Sequence, residues 1–256
     1  MKLVILAGGY GTRMSETTHL IPKPMVEIGG RPILWHIMKI YSKYGINDFV
    51  ICGGYKQYAI KEYFSNYLHH NSDLTIDLVD GTVEIHNNDI DNWKVTIVDT
   101  GLSTLTGGRI KRIQDYIGDE SFFLTYGDGV SDIDIAKSYE THKKSGKILS
   151  MMAFQPSGKL GVLDILEDGT LNSFKEKPKS DGTWVNAGFF VCEPEIFDYL
   201  EEDSGMFECE PMQKLIVDRQ INAFKHTGFW MPMDTLNDNK ILNKMWEDGK
   251  AEWKQW

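Results

Sequence analysis

Short apolar runs alternate with amphipathic stretches through the first ~155 residues, and each pattern predicts an element. Leu3–Ala7 reads as a strand, and Pro32–Tyr44 as a helix that carries Ile33, Ile37, Ile40, Tyr41 and Tyr44 at helical spacing. Phe49–Cys52 predicts a second strand ending in Gly53-Gly54, and Tyr58–Tyr67 a helix. Leu74–Val79 and Val95–Asp99 predict further strands, with a polar stretch between them long enough for a small hairpin. Gly108–Ile117 reads as a helix, Phe122–Tyr126 as a strand, Ile133–Lys144 as a helix and Ile148–Phe154 as a strand. Strand–helix alternation at this spacing predicts an α/β fold, a doubly wound and mostly parallel mixed sheet covered on both faces.

The pattern changes after about residue 155. Gly161–Leu166 and Leu171–Phe174 flank Glu167-Asp168-Gly169, and an Asp-Gly pair between apolar runs favours a hairpin turn. Trp184–Cys192 is another strand, followed by a helix opening at Pro194, where a missing N–H costs nothing. No repeat, low-complexity tract or long linker interrupts the chain. The expectation is a single domain over 1–256, with a doubly wound core to about 155 and a smaller β extension on the substrate side over about 156–256.

Composition narrows the partners. The 256 residues are 41% hydrophobic and 25% charged, as in an ordinary globular protein. With 27 basic residues against 37 acidic ones the net charge is −10, which repels nucleic acid and anionic membrane surfaces. Neither is expected as a partner. A small anionic ligand remains compatible, because a local cluster of cations and N–H groups acts against the overall field. Three scattered cysteines, Cys52, Cys192 and Cys209, fit neither a disulfide framework nor a structural zinc site and suit a reducing, cytoplasmic setting. The N-terminal apolar run is too short for a signal-peptide core, and no segment approaches the ~20 apolar residues of a spanning helix.

In a parallel α/β sheet, ligands sit outside the carboxyl ends of the strands. The segments to inspect are therefore Gly8–Arg13, Gly53–Lys56, Thr100 onward, Gly127-Asp128-Gly129 and Pro156–Gly161. The first is the richest. A dinucleotide fingerprint would need a third glycine where Met14 stands, and no Gly-x-x-x-x-Gly-Lys-Ser/Thr run exists in the chain. Yet Gly8, Gly9 and Gly11 permit close backbone approach, and their N–H groups can form an anion-binding concavity. Arg13 adds a forked cation suited to polyphosphate, and Lys23 a point charge stiffened by a proline on each side in Pro22-Lys23-Pro24.

LAGGYGTRM followed by PKPMVEIGGRPIL resembles the signature of the sugar-1-phosphate nucleotidyltransferases. The segments TGGRIKR, TYGDGVSDID, FKEKPK, VNAGFFV and GFWMPMDT fall in the expected order and resemble the branch acting on CTP and glucose 1-phosphate. Tyr10 and Met14 depart from the leucines common at those positions, and neither carries chemistry.

The resemblance implies transfer of a cytidylyl group from CTP to glucose 1-phosphate with release of pyrophosphate. It implies that Leu6, Ala7, Gly8, Gly9, Tyr10, Gly11, Thr12 and Arg13 wrap the nucleotide, with Gly127 beside it. Arg13 would then neutralise the departing pyrophosphate and Lys23 the α-phosphate. Asp128 and Asp234 would hold Mg²⁺, an ion that takes oxygen ligands from carboxylates, phosphate and water. Asp132 and Asp134 read instead as caps of the following helix. Lys177 would grip the sugar phosphate and Glu176 a sugar hydroxyl, with Asn186, Gly188 and the backbone of Gly161 completing the sugar site.

Arg109, with Thr104 or Thr106, would read the base. Cytosine offers acceptors at O2 and N3, which suit a guanidinium that only donates. The bland alternative places Arg109 in the first turn of a surface helix beside Lys111 and Arg112. UTP or dTTP as nucleotide, or a non-catalytic nucleotide sensor, stay open as alternatives; the missing third glycine disfavours a nicotinamide dehydrogenase. His69, His70 and His86 read as surface residues and Cys52 as a small core hydrophobe. Trp246, Trp253 and Trp256 predict core packing or a subunit contact. The resemblance implies a homo-oligomer, a hexamer, and a product that feeds deoxysugars of surface polysaccharide.

Overall fold

The computed structural model describes the chain except residues 12, 13, 15–20, 89, 157–161, 167–169, 176–182 and 202–204. Its centre is a seven-stranded sheet built from β1 (Leu3–Leu6), β2 (Asp48–Gly53), β3 (Lys94–Asp99), β4 (Phe122–Tyr126), β5 (Leu149–Phe154), β6 (Val185–Cys192) and β7 (Ile221–His226). The spatial order is β7-β5-β6-β4-β1-β2-β3. β1 runs parallel to β2 and β4, β2 to β3, and β5 to β7, whereas β6 is antiparallel to both β4 and β5. The sheet is therefore mixed but mostly parallel, as the sequence pattern predicts.

β1 is apolar at every position because both of its faces are covered. Leu3 and Ile5 point into one core with Phe49, Ile51, Phe123 and the helix α1 (Ile33–Ser42). Val4 and Leu6 point into the other with Val50, Cys52, Leu124 and Ile110. All four strand residues are buried. Continuous burial on both faces is the mark of a central parallel strand.

Local structure differs from the pattern reading in four places. The predicted helix over 108–117 is two short pieces, α2 (Thr106–Lys111) and Gln114–Ile117. The strand expected at 74–79 is Ser72–Ile76, and it pairs antiparallel with Val83–Asn88 outside the main sheet. None of its five residues is buried, and Asp73, Thr75 and Ile76 are exposed, so the hairpin lacks the two-sided cover a sheet strand needs. The helix opening at Pro194 is a single 3-10 segment, Pro194–Tyr199. Asp134 caps α3 (Ile135–Ser145) by accepting from Lys137 N, but Asp132 does not cap; it accepts from Phe229 N at 2.7 Å and lies 2.8 Å from His226 Nε2.

The later half of the chain divides. Val162–Ile165 and Leu171–Lys175 form the expected antiparallel hairpin apart from the main sheet, while β6 and β7 enter it. The C-terminal tryptophans pack. Trp253 is fully buried, and Trp246 lies edge-on to His36 at 4.8 Å. Cys52 is buried in the core, and His69, His70 and His86 are exposed, as expected.

Candidate functional site

The chain leaves β1 for β2 on one side and later returns to β4 on the other. That reversal opens a crevice at the carboxyl ends of β1 and β4, the usual ligand position in an open α/β sheet. A cavity of about 420 Å³ lies there. It is lined by Leu6, Ala7, Gly8, Gly9, Tyr10 and Gly11 from the first loop, by Lys23, by Thr104, Thr106 and Arg109, and by Gly127, Asp128 and Asp234. Every expected nucleotide residue among the described ones is on this wall. Thr12 and Arg13 lie outside the described residues.

A second cavity of about 250 Å³ adjoins it, lined by Asn186, Gly188, Gly129, Trp230 and Pro232. Tyr126, Asp128 and Asp234 line both cavities. Gly161, Glu176 and Lys177 lie outside the described residues. Asn186 Oδ1 accepts from Gly188 N at 2.8 Å, which fixes the start of β6 against the cavity.

Three residues far apart in sequence meet at the shared wall. Lys23 opens a 3-10 turn, Lys23–Met25, in which Met25 N donates to Pro22 O and Val26 N to Lys23 O. Pro24 and Met25 are buried, so the lysine backbone is fixed. Asp128 follows β4 and its carbonyl accepts from Met233 N at 2.8 Å. Asp234 immediately precedes Thr235, the N-cap of the last helix, α4 (Leu236–Glu247). That helix opens with a capping box between Thr235 and Asp238, and Asp234 N also donates to Asp238 at 3.1 Å. An antiparallel pairing of Trp230–Pro232 with Gly129–Ser131 closes the arrangement.

The result is a cation held between two carboxylates. Lys23 Nζ lies 2.6 Å from Asp128 Oδ2 and 2.7 Å from Asp234 Oδ1. Burial disfavours the ammonium, but the two carboxylates, Asp128 first, outweigh it and raise the lysine above its usual pKa. The oxygens already face a single cation, and an all-oxygen donor pair fits a hard ion such as Mg²⁺. Among the described residues no group of three or more His, Cys, Asp or Glu surrounds a common point, so further ligands would come from phosphate and water.

Arg109 is neither on a surface helix nor free. It is buried, and its guanidinium donates to Gly8 O (3.0 Å), Gly53 O (3.1 Å), Thr100 Oγ1 (2.8 Å), Gly101 O (2.8 Å) and Leu102 O (3.3 Å). Burial lowers its pKa from the usual arginine value. Five acceptors at the carboxyl ends of three strands converge on one fork, which ties the ends of β1, β2 and β3 to one another.

Sequence reading missed Tyr126 and Glu208. Tyr126 Oη donates to Glu208 Oε1 at 2.5 Å, and Thr106 Oγ1 donates to Glu208 Oε2 at 2.6 Å. Glu208 thus joins the N-terminus of α2 to the floor shared by the two cavities. Tyr126 was detectable as the last residue of a strand that ends in Gly-Asp-Gly; Glu208 left no such signal. Among the described residues no helix is long and apolar enough to cross a membrane.

Residues 2–250 match the family model described as nucleotidyl transferase. The chain is 53% identical to the glucose-1-phosphate cytidylyltransferase of Salmonella typhi, over 100% of both chains. It is 46% identical to the probable glucose-1-phosphate cytidylyltransferase of Bacillus subtilis, again over 100% of both. Among solved structures, HddC from Yersinia pseudotuberculosis complexed with GMP-PN superposes with a TM-score of 0.68 at 24% identity, covering 96% of this chain and 99% of that one. The chain belongs to the nucleotidyl transferase family, among relatives that carry the name glucose-1-phosphate cytidylyltransferase.

Proposed function

We propose that the chain transfers the cytidylyl group of CTP to α-D-glucose 1-phosphate, giving CDP-glucose and pyrophosphate. The observation that carries the reading is the Lys23–Asp128–Asp234 cluster, whose two carboxylates line both adjoining cavities while Lys23 lines the larger. The larger cavity suits the nucleotide and the smaller one, with Asn186 and Gly188, the sugar. A sugar-phosphate oxygen entering from the smaller cavity attacks the α-phosphorus. The new P–O bond forms as the bond to the bridging α,β-oxygen breaks, and its electron pair leaves on pyrophosphate. Little covalent chemistry falls to the protein, so positioning and charge compensation dominate. Lys23 neutralises the α-phosphate, and Arg13 is assigned the leaving pyrophosphate. Lys177 and Glu176 are assigned the sugar phosphate and a sugar hydroxyl, with Gly161 beside them.

Asp128 and Asp234 are the residues to hold Mg²⁺, which supplies charge neutralisation at the phosphate oxygens when bound. Base selection is assigned to Arg109 and the loop it holds. The Gly101 and Leu102 carbonyls are its partners at the part-buried side, and cytosine O2 and N3 can take their place there. Uracil and thymine carry a donor at N3 and match a guanidinium less well. A cytoplasmic setting is in keeping with the free thiols of Cys52, Cys192 and Cys209, and the homo-oligomer implied by the resemblance belongs to the same reading.

Pyrophosphate release measured with each of the four ribonucleoside triphosphates and dTTP, with and without glucose 1-phosphate, tests the reading. Turnover is expected with CTP and only when the sugar phosphate is present. Arg109→Lys keeps the charge but loses the fork, so the CTP-over-UTP ratio of kcat/KM should fall. Preference for UTP or dTTP would move the chain to another branch of the family, and no turnover with any triphosphate would leave a nucleotide-binding protein.

A further inference from the structure

The place between Asp128 and Asp234 is spanned by the chain's own ammonium. Lys23 Nζ makes contacts of 2.6 and 2.7 Å to the two carboxylates, the length of charge-assisted hydrogen bonds. Its side chain is 11% exposed, whereas the two aspartates are 32% and 35% exposed. The lysine is therefore the inner member of the cluster. It bridges elements that chain connectivity leaves apart: the turn after the first loop, the end of β4 and the approach to α4.

A divalent ion that uses the same two oxygens cannot share them with the ammonium. Two cations within ~4 Å repel one another strongly in a half-buried site, where water screens them less than in bulk. The turn at Pro22–Met25 prevents the lysine backbone from retreating, so the side chain alone must swing. A phosphate in the larger cavity, which Lys23 also lines, offers the ammonium an alternative anion. The structure shows the lysine on the carboxylates; lysine on phosphate with the carboxylates turned to a metal ion would keep a similar charge balance.

We propose that Lys23 is a resident counter-cation that holds Asp128 and Asp234 in the ligand-free protein and thereby keeps their affinity for divalent ions low until phosphate draws it away. This rests on the reading of the two aspartates as metal ligands. Metal and triphosphate binding are then linked through one side chain, and by reciprocity each strengthens the other.

Mn²⁺ serves as the probe, with the free ion counted by electron paramagnetic resonance in the absence of nucleotide. Lys23→Met, neutral and of similar length, should bind one Mn²⁺ about tenfold tighter or better than the unaltered chain, the gain from removing one adjacent positive charge. Lys23→Met/Asp128→Asn should lose that gain. Equal affinities for the unaltered chain and Lys23→Met would overturn the counter-cation role while leaving the metal ligands standing. A gain retained in the double variant would instead overturn Asp128 as a ligand, and with it the inference. The unaltered chain gives a reading that needs no folded variant. Crystals soaked in Mn²⁺ without nucleotide should show Lys23 between the carboxylates and no anomalous peak there; a peak between Asp128 and Asp234 would refute the proposal.

Discussion

A Cβ placed on Gly8 would lie 2.1 Å from Arg109 Nη1, while Gly8 O accepts from Arg109 Nη2 at 3.0 Å. The glycine is thus the space into which the guanidinium fits. Gly54 repeats the relation, its Cβ position lying 2.4 Å from the same Nη1. By contrast Gly9 has nothing within 4 Å of its Cβ position. The loop that reads as a phosphate cradle therefore owes one of its glycines to a side chain packed behind it.

Gly8→Ala and Arg109→Ala should each destabilise the protein, for different reasons. The first forces a methyl into the guanidinium, at about 1–3 kcal/mol for an overpacked site. The second removes the donor that Gly101 O, Leu102 O and Thr100 Oγ1 share, while Gly8 O keeps Tyr55 N and Gly53 O keeps Thr100 N, at about 1–3 kcal/mol. The double variant should cost less than the two combined by about 1 kcal/mol or more, since the collision disappears with the arginine. Urea unfolding of the four proteins measures the coupling; strict additivity would show that the two residues do not share the space.

Asp128→Asn, Asp234→Asn and Lys23→Ala should each lower transfer by about 10²-fold or more, the usual loss of one preorganised charge at a phosphoryl centre. The aspartates are part-exposed and their backbones are held by other bonds, so melting temperatures should move little. Near-normal rates in all three would remove the cluster from the chemistry.

Glu208 positions groups on both cavities without lining either. Glu208→Ala removes the shared acceptor of Tyr126 and Thr106 and should raise KM for CTP and for the sugar phosphate, by about 3- to 10-fold for each lost hydrogen bond. Glu208→Gln keeps an acceptor for Tyr126 and should recover most of the sugar-phosphate KM. An equal loss in both variants would indicate that the negative charge matters more than the positioning.

His36 sets a pH dependence of stability. Trp253 Nε1 can only donate, and it reaches His36 Nδ1 at 3.3 Å, so the proton sits on Nε2 and is donated to Ile28 O at 2.8 Å. The ring is fully buried, and burial lowers its pKa to about 4 against 6.5 for the exposed group. Above pH ~6.5 both folded and unfolded chains hold it neutral and its contribution is complete. As pH falls from 6.5 through about 4 the unfolded chain takes up the proton first, so stability declines across that window, by up to about 3 kcal/mol. His36→Phe should flatten the slope between those pH values in denaturant titrations; an unchanged slope would show that other groups govern it.

The mostly parallel mixed sheet, its two-sided core and the loop that ends β1 follow from the sequence alone. Four-residue apolar runs such as Leu3–Leu6 are stable only when covered on both faces, and the residues after such strands face the ligand crevice. The family resemblance assigns Leu6–Gly11, Lys23, Asp128 and Asp234 to one site, and the cavity wall carries them all. Pairing and occupancy were decided only in three dimensions. The strand near Leu74 reads like its neighbours, but a hairpin partner at Val83–Asn88 took it out of the sheet. Arg109 reads as the base contact, with a surface position beside Lys111 and Arg112 as the alternative, and neither reading reveals its burial, because the five oxygens around it come from the ends of three different strands. Lys23 reads as a phosphate ligand, and its partners in the folded chain are carboxylates at positions 128 and 234. Local propensity and periodicity report on a residue's own element; which charge neutralises which depends on long-range closure, and that information exists only once the loops have met.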